Sequence, residues 1–142
     1  IESGHIVRND VKLTFWFDAE QIETIAQAVE DHRASSDHEP RSIYGRLLAE
    51  SDRIIDADTI VRRTVQYGLS HCDESQINDV QWHWRRFLSH MEEKYAEGGY
   101  LKLWIPQSKN ALSLKEFRSL LKDKKALRQK FDYYYELEQN KL

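Results

Sequence analysis

The chain has 142 residues, 32% of them charged and 40% hydrophobic, with a formal net charge of -3. That is room for one ordinary domain with one continuous core, and the negative balance argues against general nucleic-acid binding, which rests on neutralising phosphates with Lys and Arg. Five Gly and two Pro leave few helix breakers, Cys72 is the single cysteine and no apolar run reaches membrane-spanning length, so a helical, cytoplasmic protein without disulfides, cysteine zinc cluster or membrane span is expected. The opening Ile1-Glu-Ser-Gly4, with neither Met nor signal-like character, reads as the start of a fragment of something longer.

The first helix is predicted from Asp18, whose side chain can cap it while Gln21 reaches back in a capping box. Ile22, Ile25, Ala26 and Val29 follow helical spacing, and His32 extends that stripe beyond Ile25, so an imidazole is expected to face inward at the helix end. Ala34 to Pro40 is polar and turn-like. Ser42 is the expected cap of the next helix, where Tyr44, Leu48, Asp52 and Ile55 share a face that Ile43, Leu47 and Ile54 broaden. Asp52 thus interrupts an apolar stripe.

A third helix through Ile60, Val61, Val65 and Leu69 is predicted from a cap at Asp58. The strongest periodicity, Ile77, Val80, Trp84, Phe87, Leu88, Met91 and Tyr95, marks a long amphipathic helix stopped by Gly98-Gly99. Tyr100 to Ile105 alternates apolar and polar residues and is expected as an extended connector packing Leu101, Leu103 and Trp104, with no second strand to pair with it. Ser113 and Glu116 suggest another capping box, opening a helical region through Leu114, Phe117, Leu121, Leu127, Phe131 and Tyr134 with a break near Lys122-Asp-Lys-Lys125. No repeat or composition shift marks a linker, so residues 1–142 are taken as a single helical domain.

An ionisable side chain on an apolar face is costly unless a partner, a metal or a ligand compensates it, which singles out His32 and Asp52. Each also has a structural reading: a histidine complementing a helix dipole, and an aspartate hydrogen-bonded or paired with Arg53 or Arg62. Arg33 and Arg53 directly follow the two residues, and their guanidinium forks suit phosphate oxygens as well as internal ion pairs. His83 and His90 lack the tight spacing of a zinc-binding helix and are taken as structural or surface groups, while His38 and His71 belong to no metal motif. Trp82, Trp84, Trp104 and Tyr133-Tyr134-Tyr135 are not interleaved with a basic stripe and are read as packing residues. The chain has no Gly-rich phosphate loop, no Gly-x-Ser-x-Gly elbow and no His-Glu-x-x-His.

The strings Ala28-Val-Glu-Asp-His32-Arg33, Pro40-Arg-Ser-Ile-Tyr-Gly45 and Ala49-Glu-Ser-Asp52-Arg53, followed by His90-Met-Glu-Glu-Lys-Tyr95 and Gly99-Tyr-Leu-Lys-Leu-Trp104, carry a wider likeness. In this order they resemble the HD-domain superfamily, the all-helical metal-dependent phosphohydrolases named for a His-Asp pair. The resemblance covers most of the chain. It implies an all-α, HD-domain-like helical bundle incomplete at its N-terminus, with 1–99 as the C-terminal portion of the domain and 100–142 as a connector and helical extension packing on it.

The resemblance further implies a divalent metal, with Asp52 matching the family's final aspartate ligand. It matches His32 to a pocket histidine that helps bind a second metal or a substrate phosphate, beside Arg33 and Arg53 as candidate phosphate contacts. The chain departs from the family in containing no His-Asp dipeptide and no predicted helix before Asp18 to hold one. The expected function is hydrolysis of a nucleotide or other phosphate ester, with this chain supplying only part of the site. Missing helices would leave an apolar face uncovered, so the isolated chain should associate, for instance with itself, or expose a patch. The alternative is a non-catalytic helical module binding a nucleotide or a protein partner, and nucleic-acid binding through Arg62-Arg63 and Arg85-Arg86 ranks below both.

Overall fold

The computed structural model describes residues 2–34, 36 and 38–141. These form α1 (Glu2–Asn9), a 3-10 turn (Val11–Phe15), α2 (Ala19–Asp31), α3 (Ile43–Ser51), α4 (Ala57–Ser70), α5 (Val80–Tyr95), α6 (Lys109–Lys122) and α7 (Lys124–Gln139). No strand occurs among them, so the all-α expectation holds.

Short polar side chains set most of the helix starts. Asp18 accepts from the Gln21 N–H and Gln21 returns the bond to the Asp18 N–H, forming the expected capping box of α2. Ser42, Asp79 and Asp123 likewise accept the third N–H of α3, α5 and α7, the last marking the expected break before Lys124. Two caps differ from expectation. Asp56, not Asp58, caps α4; Asp58 stands in the first turn, where its carboxylate is held by Lys130 and the Tyr134 hydroxyl. The Ser113–Glu116 box does not open α6, because Ser108 already caps that helix by accepting from the Ala111 N–H. The chain before Asp18 is also helical, contrary to expectation: the eight residues of α1 hold only two large apolar side chains, Ile6 and Val7, too few and too close together for a period to register.

The chain divides into two compact units that interleave along the sequence: Ile1–Arg53 with Leu101–Ala111, and Ile54–Tyr100 with Leu112–Leu142. In the first unit α1 approaches α2 at Gly4, where an added Cβ would strike the Glu30 side chain. At Gly45 of α3, an added Cβ would lie 3.6 Å from Ala28 Cα and Asp31 Cβ of α2, and 3.0 Å from Pro40 Cβ, so glycine permits this close crossing. The Asn110 amide donates to the carbonyls of Glu50 and Arg53, adding a side-chain donor at the end of α3 beside the Arg53 N–H that Glu50 already accepts. Leu101 is buried as expected, with Leu103 and Trp104 half-buried, although this stretch is neither helix nor strand.

The second unit buries Ile60, Val61, Val65 and Leu69 of α4, Phe87, Met91 and Tyr95 of α5, Leu114, Phe117 and Leu121 of α6, and Leu127, Phe131 and Tyr135 of α7. Phe131 is its aromatic hub, with ring centroids 5.1 Å from Trp84 and from Phe87 and 5.7 Å from Tyr135. Each such side chain contributes on the order of 2 kcal/mol by leaving water. Gly98, with φ +88°, turns the chain after α5 in a conformation that costs glycine nothing.

Candidate functional site

His32 and Asp52 are the C-caps of α2 and α3. Arg53 joins the two helix ends: its Nη1 donates to the His32 carbonyl at 2.9 Å, placing a cation where helix dipoles favour one. The His32 ring is half-buried, with Nδ1 2.6 Å from the Val29 carbonyl. A carbonyl only accepts, so Nδ1 carries the proton and Nε2 of the neutral ring keeps its lone pair, the arrangement that metal-binding histidines use.

Asp52 corrects the sequence reading. It was expected on a buried stripe, yet its side chain is 63% exposed, and its ion pair with Arg53 spans 4.0 Å, too long for a hydrogen bond. Asp52 still follows the helical register, its N–H bonded to the Leu48 carbonyl at 3.1 Å, so it shares the face of Tyr44 and Leu48. The stripe itself faces outward: Ile43, Tyr44, Leu47 and Leu48 are exposed, and α3 packs through Gly45 and Ala49 instead.

Arg33 is exposed and its side chain has no hydrogen-bond or ion-pair partner among the described residues. Arg53, expected as a phosphate contact, turns inward with its side chain only 5% exposed and its Nε unpartnered. Burial pushes its guanidinium down from the ordinary value, against the opposing charges of Asp52 and Glu50. Its hydrogen bond is to the protein backbone, at the His32 carbonyl.

The buried acid of this region is Asp31, which the sequence reading missed. It is 2% exposed and bonded to the Arg41 N–H at 2.8 Å, to Arg41 Nε at 3.0 and 3.1 Å and to Nη2 at 2.8 Å. Burial opposes its ionisation most strongly, but the Arg41 side-chain and backbone hydrogen bonds together with the Arg41 charge outweigh burial and hold the carboxyl below its ordinary value. Arg41 also binds Glu30, which shares Arg8 with Glu23. The signal available in the sequence was Arg41 itself, ten residues downstream across a turn-like segment.

Elsewhere in the first unit, a cleft of about 490 Å³ is lined by Arg8, Thr14, Phe17, Asp18, Ala19, Ile22 and Glu23, and includes none of the predicted site residues. Beside it the 3-10 turn exposes Phe15, and Trp16 follows it at 82% exposure. No group of three or more His, Cys, Asp or Glu side chains converges among the described residues. His32 Nε2 and the Asp52 carboxylate amount to two donor groups, whereas a hydrolytic metal takes three or more protein ligands and an open position. These residues alone therefore do not fit a complete metal centre. No helix among the described residues is long and apolar enough to cross a membrane. No protein-family model, curated protein or solved structure matches the chain.

Proposed function

We propose that this chain supplies part of an HD-type metal-dependent phosphohydrolase site acting on a nucleotide or another phosphate ester. The observation supporting this reading is the Arg53 hydrogen bond to the His32 carbonyl, which ties together two helix ends, one bearing an imidazole whose Nε2 no described residue bonds and the other an exposed carboxylate held only by a 4.0 Å ion pair. In this reading Asp52 and His32 Nε2 are partial donors to a divalent metal, and the other ligands come from residues outside this chain. Arg33, exposed and without a side-chain partner among the described residues, offers a guanidinium fork to phosphate oxygens. Arg53 acts through the His32 backbone, holding the end of α2 against the end of α3.

A titration of the chain with Mn²⁺, followed by calorimetry, tests the metal assignment. Asp52→Ala should weaken binding at least tenfold, as loss of a charged ligand does. Equal affinity in the variant, or none in the original chain, removes the metal role. For catalysis, the decisive observation is a His-Asp pair elsewhere in the protein containing this chain.

A second reading, a protein-interaction module, has its own support in the outward apolar face of α3. Ile43, Tyr44 and Leu47 are each more than half exposed, the kind of contiguous patch that marks contact surfaces.

A further inference from the structure

A buried imidazole that the proposed chemistry does not use lies in the second unit. His83 of α5 is 4% exposed, and its Nε2 is buried without a hydrogen-bond partner. The ring fills a slot between three helices. On α4, Gly68 leaves the space: a Cβ there would sit 3.2 Å from His83 Nδ1. On α7, Tyr135 packs at a centroid separation of 5.2 Å, and Trp82 of α5 meets the ring edge-on at 4.9 Å.

The charged and titratable groups around this slot favour a neutral ring. Arg86 of α5 is a nearby cation, stacked over Tyr67, which stacks in turn on His71. Asp79, the nearby carboxylate, is committed to the Trp82 N–H as the cap of α5. Tyr135 donates its hydroxyl to the Ile77 carbonyl, and burial keeps it un-ionised. The Cys72 thiol, near Tyr135, donates to the Leu69 carbonyl, and the Gln76 carbonyl is a backbone hydrogen-bond acceptor for the His83 ring. An imidazolium here would add a buried N–H at Nε2 with no acceptor, near the Arg86 guanidinium.

We propose that His83 is a proton-operated release for the second unit: in mild acid the ring protonates, leaves its slot and loosens α5 from α4 at Gly68. Burial pushes the His83 pKa down; the Gln76 carbonyl opposes this, Arg86 adds to it and Asp79 opposes it. The folded unit thus binds the proton less tightly than the unfolded chain. Its stabilisation is fully present above the ordinary histidine value of about 6.5 and is lost as pH falls below it, the folding constant dropping by up to about tenfold per pH unit for one such group. His90, which burial also pushes down, provides the comparison on the same helix.

The test is hydrogen exchange of the α4 and α5 amides in the full chain between pH 7.5 and 5, corrected for intrinsic rates, alongside NMR titration of the His83 ring. The expected result is a folded-state His83 titration below 6.5 with an accompanying tenfold or greater loss of protection. That loss should shrink in His83→Gln and His83→Phe, and by more than it does in His90→Gln. A His83 titration at or above the ordinary value, or an unchanged loss in both His83 variants, overturns the proposal. Should neither variant fold, the ring titration of the original chain decides, since a titration that does not coincide with the loss of protection also overturns it.

Discussion

Asp31 survives almost out of contact with water because Arg41 meets it from both backbone and side chain. A buried charge does need compensation, and the residue that carries one here is Asp31, not its neighbour His32 or the exposed Asp52. Successive helical positions differ by about 100°, so assigning the inward position to His32 instead of Asp31 moves the chemistry to another face. Asp31→Ala should cost about 2 kcal/mol in urea unfolding, the scale of lost charge-assisted hydrogen bonds. The cost stays moderate because Arg41, 44% exposed in its side chain, regains water when its partner is removed. His32 presents the complementary case: its half-buried ring is explained by the Val29 carbonyl, and what distinguishes it is the lone pair left on Nε2.

At the scale of elements, α1 and α3 illustrate two ways in which helices escape a hydrophobic pattern. The first is held by charge, since Arg8 bonds Glu23 and Glu30 of α2 while Ile6 remains exposed. Hydrogen bonds from Arg8, supplemented by Gln27 for Glu23 and by Arg41 for Glu30, hold both carboxyls at about 2, well below their ordinary range. Because these folded values lie below the unfolded value near 4.5, the docking of α1 should be complete above that pH and fade as pH falls toward 2. Chemical shifts of the α1 amides should follow this window, and Arg8→Gln should abolish the dependence; retention in the variant would mean that apolar contact holds α1 instead. In α3 the helix cap was legible from Ser42, but the buried face was not. Hydrophobicity pointed to Tyr44 and Leu48, whereas the close crossing selected the small side chains of Gly45 and Ala49.

Across the whole molecule, the two units are assembled from alternating stretches of chain, with residues 101–111 belonging to the first. A chain ended at Gly99 would therefore lose more than an appendage. Phe87 would lack Phe131, Tyr95 would lack Phe117, and the carbonyls of Glu50 and Arg53 would lack Asn110. Such a truncation should show little near-ultraviolet circular dichroism and no cooperative thermal transition. A sharp transition matching that of the full chain would instead make residues 1–99 self-sufficient.

The sequence alone determined the all-helical class, the capping box at Asp18, the start of α3 at Ser42, the amphipathic α5 and the break before α7. These are properties of neighbouring residues, where a short polar side chain and a 3.6-residue period suffice. Tertiary structure decided which face of α3 is buried, which acid is enclosed, that Arg53 bonds a backbone carbonyl, and that His83 fills the space at Gly68. Those outcomes depend on how closely two backbones approach, and on partners ten or more residues away, neither of which a local pattern encodes.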